Sequence, residues 1–201
     1  MILQAYNKRD EILSYLKFGV DVCDFFLPFK GDFQGSCYDS PFPHSVKFPN
    51  NKSCTGFEDF ISDTILERLA NGSLSIWGKV GLVSPPHLVM PLTAEPTKPR
   101  LCHDERFLKL WIRDLPLTLD FISNIPRYVA HNHFQSTVDD KSRYDHVKLS
   151  PNSRTYFGLE WRGWYFVYNT IPFGWKASAY LYHTIGMAAT SYVRSLGVPC
   201  S

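Results

Sequence analysis

Residues 134–144 read Phe134-Gln135-Ser136-Thr137-Val138-Asp139-Asp140-Lys141-Ser142-Arg143-Tyr144. Phe134 to Val138 reads as a strand, and it leads directly into two carboxylates. A carboxylate at the end of a strand is held rigidly, and the turn after it lets other groups converge there. That arrangement suits a hard divalent cation such as Mg²⁺, which takes oxygen ligands and keeps some of its waters. The plainer reading is that Asp139 and Asp140 cap the next helical turn, where Asp is common.

Two further stretches carry chemistry. Thr170-Ile171-Pro172-Phe173-Gly174-Trp175-Lys176-Ala177-Ser178 closes a strand with Pro-Phe-Gly and opens a helical pattern that runs from Trp175 to Leu196. Gly174 permits a close backbone approach. The N–H groups of a helix start, with Lys176 nearby, suit a nucleic-acid backbone or a nucleotide; an ordinary strand-turn-helix connection would read the same way. In Lys98-Pro99-Arg100-Leu101-Cys102-His103-Asp104-Glu105-Arg106-Phe107-Leu108 the strand Arg100 to His103 sets Lys98 and Arg100 on one face. That face suits a polyphosphate, or it is a solvated edge, where Lys is common. Asp104 and Arg106 are spaced for a structural ion pair.

The rest of the chain fits a mixed fold. An apolar pattern through Ile12, Leu13, Leu16, Phe18 and Val20 predicts a helix, and residues 29–56, broken by Gly31, Gly35, Pro41, Pro43 and Pro49, read as a linker or irregular wrap. Thr55 and Glu58 fit a capping box for a helix whose one face carries Phe57, Phe60, Ile61, Ile65 and Leu69, ended by Asn71-Gly72. Ile76 to Val83 and His87 to Leu92 read as strands, and Phe107 to Trp111 as a helical turn. Thr155–Trp161 and Trp164–Thr170, around Arg162-Gly163, read as a hairpin. Helices and strands alternate without a βαβ rhythm, so the class is α+β.

Composition narrows the function. The chain has 201 residues and a formal charge of only +2, so any basic surface is a local patch. Aromatic residues make up 15%, enough for a core and for stacking surfaces as well. No apolar run is long enough to span a bilayer, no secretory leader is read at the N-terminus, and the five cysteines form no C-x-x-C pair. No membrane partner and no secretion are therefore expected. His131 and His133 lack partners at metal-site spacing and read as loop residues.

Taken together and in order, these stretches resemble the fingers and palm of a reverse transcriptase of a retrotransposon, gypsy-like or DIRS-type, from about Asn51 to the end. The family pattern K-x-R-x-x-x-D-x-R-x-L-N is met by Lys98, Arg100, Asp104, Arg106 and Leu108, with Lys109 where Asn is usual. D-x-K-S-x-Y is met by Asp139, Lys141, Ser142 and Tyr144. L-P-F-G-x-x-x-[AS] appears as Ile171-Pro172-Phe173-Gly174-Trp175-Lys176-Ala177-Ser178. The resemblance implies residues 1–50 as an N-terminal helix and linker, and 51–201 as a partial fingers-palm domain.

It also implies roles. Asp139 is the catalytic and metal-binding carboxylate for Mg²⁺. Lys98, Arg100, Tyr144, Phe173 and Gly174 hold the incoming deoxynucleoside triphosphate, with the Tyr144 ring under the sugar. Trp175, Lys176 and Ser178 face the RNA template and DNA primer. Localisation stays open between the cytoplasm and the nucleus. The family's second acidic motif, Tyr/Phe-x-Asp-Asp, is not met: Ser178 to Ser201 holds no Asp or Glu. The expectation is thus a fold truncated before the catalytic hairpin and a chain that does not polymerise DNA by itself. The other reading is a non-catalytic nucleic-acid-binding remnant using Lys98, Arg100, Lys141 and Lys176.

Overall fold

A computed structural model describes residues 8–97, 99–117, 123, 126, 131–132, 134 and 140–197. The expected N-terminal helix is α1, Arg9–Phe18, and Gly19 ends it with its N–H bonded to the Tyr15 carbonyl. Residues 29–40, read from sequence as irregular, form a hairpin of β1 (Phe29–Phe33) and β2 (Ser36–Ser40). Its glycines do not break it. Gly35 lies in the two-residue turn, while Gly31 sits within β1, where the Phe29 ring fills the space a side chain would take. Phe29, Phe33 and Tyr38 pack edge-on against Trp111 and Phe107, which seats the hairpin on the core.

Helix α2, Glu58–Ala70, buries Ile61 and Ile65, with Phe57, Phe60 and Leu69 packed beside them, as the periodicity predicts. Its start differs from the expected box. Thr55 closes the preceding 3₁₀ turn by bonding to the Lys52 carbonyl, so Phe57 is the cap residue, and the Glu58 carboxylate accepts the Gly56 N–H at 2.9 Å.

Five strands form a mixed sheet: β3 (Val46–Lys47), β5 (Leu88–Val89), β8 (Gly158–Trp161), β9 (Trp164–Tyr168) and β4 (Leu74–Lys79), in that spatial order. The two β5 contacts are parallel and the two β9 contacts antiparallel. The β8–β9 hairpin turns on Arg162-Gly163, both at positive φ, the backbone a two-residue turn needs to follow the strand twist. The apolar run His87 to Leu92 does not stay one strand. Pro91 has no N–H to give a ladder, and the chain leaves β5 to start β6 (Leu92–Glu95), which pairs with β7 (Arg100–His103) in a separate antiparallel ribbon.

The last element is α3, Lys176–Ser195. One continuous core joins these parts, with Phe25, Phe107, Trp111, Phe157, Leu159 and Ile171 almost fully excluded from water. Complete burial of each such side chain contributes roughly 1.5–3 kcal/mol. Among the described residues no helix is long and apolar enough to cross a membrane.

Candidate nucleotide cleft

Strand β7, the C-terminal end of α2, the turn after Asp140 and the loop before α3 border an open cleft of about 780 Å³. Its walls carry Arg68 from α2, Arg100 and Cys102 from β7, residues 140–145, and Phe173 from the loop before α3. Arg100, Lys141, Ser142, Tyr144 and Phe173, drawn from the three sequence stretches, therefore line one space. Asp139 and Lys98 lie outside the described residues, as do residues 135–138 of the strand expected over Phe134 to Val138.

The turn after Asp140 is built tightly. Ser142 has φ 53 and ψ 44, a left-handed conformation that costs a non-glycine residue about 1 kcal/mol. The Ser142 carbonyl accepts the Asp145 N–H at 2.8 Å and opens a 3₁₀ turn over Arg143–His146. Asn71, at the end of α2, donates to Asp145 at 3.5 Å, which joins the helix to this turn. Tyr144 is half-buried between Phe173, at 6.2 Å between ring centroids, and Tyr182 of α3, at 6.0 Å. Phe173 is 56% exposed, so its ring is free to meet a planar ligand.

Charge defines the cleft. It holds four cations, Arg68, Arg100, Lys141 and Arg143, against two carboxylates, Asp140 and Asp145. Among the described residues none of these four cations has a carboxylate within ion-pair distance. Asp140 accepts the Tyr182 hydroxyl, and Asp145 the Asn71 amide. No group of three or more His, Cys, Asp or Glu side chains comes together for a metal ion among the described residues. The described lining thus suits phosphate oxygens.

Beneath the cleft, β7 is anchored through a buried dyad. His103 Nδ1 and a Glu105 carboxylate oxygen lie 2.5 Å apart, with side chains 0% and 1% exposed, and His103 Nε2 donates to the Gly158 carbonyl at 3.0 Å. Next to it Arg106 grips both Asp104 oxygens at 2.9 Å through Nε, the structural ion pair the spacing predicted. Burial pushes the Asp104 carboxyl up, but hydrogen bonds from the Arg106 side chain and backbone, with its charge, outweigh this and hold it below the ordinary carboxylate range.

Three expected contacts are placed elsewhere. Trp175, expected at the template and primer, is 3% exposed and packs edge-on to Phe25 and Phe157, because an indole at the start of α3 fills the core under the loop. Ser178 is buried and donates to the Pro172 carbonyl at 2.7 Å, which ties the helix to the Pro-Phe-Gly loop. Lys176 pairs with Asp114 at 2.5 Å. Gly174 does permit a close approach, but to the His103 carbonyl: an added Cβ would sit 2.6 Å from that oxygen. Arg68 was not found from sequence, since a single arginine in the last turn of a helix carries no motif.

The architecture has solved counterparts. The structure of a foamy viral protease-reverse transcriptase in complex with an RNA/DNA hybrid superposes with a TM-score of 0.59 at 13% identity, covering 95% of this chain and 25% of that one. The fold is reverse transcriptase-like. The foamy viral enzyme in complex with dsDNA gives a TM-score of 0.55 at 14% identity, over 96% of this chain and 38% of that one. A mutant of the prototype foamy virus protein gives 0.57 at 15% identity, over 94% and 25%. The chain therefore spans between about a fifth and two fifths of the proteins it resembles. No protein-family model and no curated protein matches it.

Proposed function

We propose that this reverse transcriptase-like chain is the fingers and palm of an RNA-directed DNA polymerase from a gypsy- or DIRS-type retroelement, with the cleft taking the triphosphate of an incoming deoxynucleotide. One observation carries the reading: the cleft is lined at once by Arg100, by Lys141, Ser142 and Tyr144, and by Phe173. Of these, Arg100, Tyr144 and Phe173 are positions that the family resemblance links to the nucleotide. Template and primer join the proposal because related folds were solved on an RNA/DNA hybrid and on dsDNA.

In nucleotidyl transfer the primer 3′-oxygen attacks the α-phosphorus and pyrophosphate leaves. Arg100 and Lys141 would neutralise the charge gathering on the leaving phosphates, which fixed cations do without reorganising. Tyr144, braced by Phe173 and Tyr182, would lie under the sugar and exclude a 2′-hydroxyl. The motif alone assigns Asp139 as the carboxylate for Mg²⁺. A second reading, a non-catalytic nucleic-acid-binding remnant, is favoured by the cation surplus and the half-exposed Phe173 ring, which suit a polynucleotide as well as a nucleotide.

Titrating the protein with dATP and, separately, with an RNA–DNA hybrid tests the two. Saturable dATP binding, weakened about tenfold or more by Arg100→Ala or Lys141→Ala, supports the nucleotide site. Salt-sensitive hybrid binding with no dATP binding supports the remnant. Binding of neither contradicts both.

A further inference from the structure

We infer that Arg68, at the C-terminal end of α2, is a further phosphate-binding residue of the cleft, held in readiness by the face of Tyr168. The inference rests on the reading of the cleft as a triphosphate site and adds a ligand that no motif supplies.

Among the described residues some cations are neutralised and many lie free on the surface, but four line the cleft. Arg106 is neutralised by Asp104, Lys176 by Asp114, Lys47 by Glu160 and Lys30 by Asp39. Arg68, Arg100 and Lys141 have no carboxylate within ion-pair distance among the described residues, and they gather on one cleft. A cleft lined by a surplus of cations concentrates anions at its mouth.

Arg68 is also pre-organised. Its Nη1 donates to the Tyr168 hydroxyl at 3.3 Å, and its Cζ lies 5.4 Å from the Tyr168 ring centroid. Tyr168 is 2% exposed in β9, and its ring rests on that of buried His103 at 5.2 Å, so the platform is rigid. A guanidinium has five N–H donors in a planar fork, and Tyr168 engages one of them. Holding the side chain in advance removes most of the rotamer entropy that binding would otherwise cost. The Asn71–Asp145 bond draws this end of α2 onto the turn that carries Lys141. A residue from a helix far away in sequence is thereby brought to the wall that holds the motif residues.

The alternative role, a cover for the Tyr168 ring, makes a different prediction. Inorganic tripolyphosphate is the probe, titrated calorimetrically into the wild-type protein, Arg68→Ala, Arg68→Lys, Tyr168→Phe and Arg100→Ala. The expected result is a Kd raised about tenfold or more by Arg68→Ala, less by Arg68→Lys, and modestly by Tyr168→Phe. Arg68→Gln, which keeps a donor for the Tyr168 hydroxyl, serves in place of Arg68→Ala if the latter melts much lower. Loss of affinity in Arg100→Ala with none in the Arg68 variants overturns the inference and leaves the cleft reading intact. If the wild type does not bind, or Arg100→Ala binds equally well, the cleft reading fails and the role of Arg68 with it. A matching shift for dATP places the source of the phosphates in a nucleotide. A shift seen only with an RNA–DNA hybrid contradicts the nucleotide assignment and moves Arg68 to the polynucleotide backbone.

Discussion

Replacing Gly174 by alanine tests how the Pro-Phe-Gly loop is fixed. Gly174 has φ +105, and an added Cβ would lie 2.6 Å from the His103 carbonyl oxygen, with Glu105 Cγ at 3.9 Å. The carbonyl belongs to β7, which is paired with β6 and cannot swing aside as a side chain would. The left-handed backbone costs an alanine about 1–2 kcal/mol, and forcing apart packed atoms costs a further ~1–3 kcal/mol. The sum is about 2–5 kcal/mol, which for a chain of this size lowers Tm by roughly 4–20 °C. Gly163→Ala is the internal control. Gly163 also has positive φ, +76, but nothing lies within 4 Å of its missing Cβ, so only the backbone cost of about 1–2 kcal/mol applies. Thermal melts followed by circular dichroism read both. Because the same contact sets Phe173 against the strand of Arg100, dATP affinity should fall in Gly174→Ala and stay unchanged in Gly163→Ala. If the two variants melt together, the close approach is not a constraint and the reasoning is wrong.

Other outcomes follow from the same geometry. Glu105→Ala leaves a buried imidazole without its partner and should cost about 1–3 kcal/mol. Glu105→Gln should cost much less, because the amide can donate to Nδ1 while Nε2–H still bonds Gly158; equal melting temperatures for the two would show that the dyad contributes nothing. Asp104 titrates below its unfolded value, so its contribution is present above about pH 4 and is lost as pH falls through the lower folded pKa. The loss of Tm between pH 6 and acid should accordingly be smaller in Arg106→Ala than in wild type, and an equal loss would argue against the Arg106 grip. Tyr144→Ala should reduce any preference for dATP over ATP by about tenfold, measured by competition; an unchanged ratio would remove Tyr144 from under the sugar.

Much of the architecture was written in periodicity and turn chemistry. The spacing of Phe57, Ile61 and Ile65 gave a helix, and Arg162-Gly163 between two aromatic runs gave a hairpin, because each signal is local. The β1–β2 hairpin was hidden, since Gly31 looks like a breaker until the Phe29 ring is seen filling its place. The sheet order was not readable at all: β5 meets β8 through Val89 and Gly158, and nothing near either residue in the sequence announces the other. For the cleft, three ordered motifs named Arg100, Tyr144 and Phe173, which the fold does bring together. They also overreached. Motif position does not tell whether a side chain points inward, and Trp175 and Ser178 point into the core. Arg68 was missed for the opposite reason: its role comes from Tyr168 and Asn71 in space, not from neighbours in sequence.

Photo-crosslinking with an azido-substituted dATP, followed by peptide mapping, tests the central claim most directly. The account predicts label on the peptides carrying Tyr144 and Phe173, abolished by unlabelled dATP and strongly reduced by Arg100→Ala. Label elsewhere, or label that excess dATP does not displace, would contradict it.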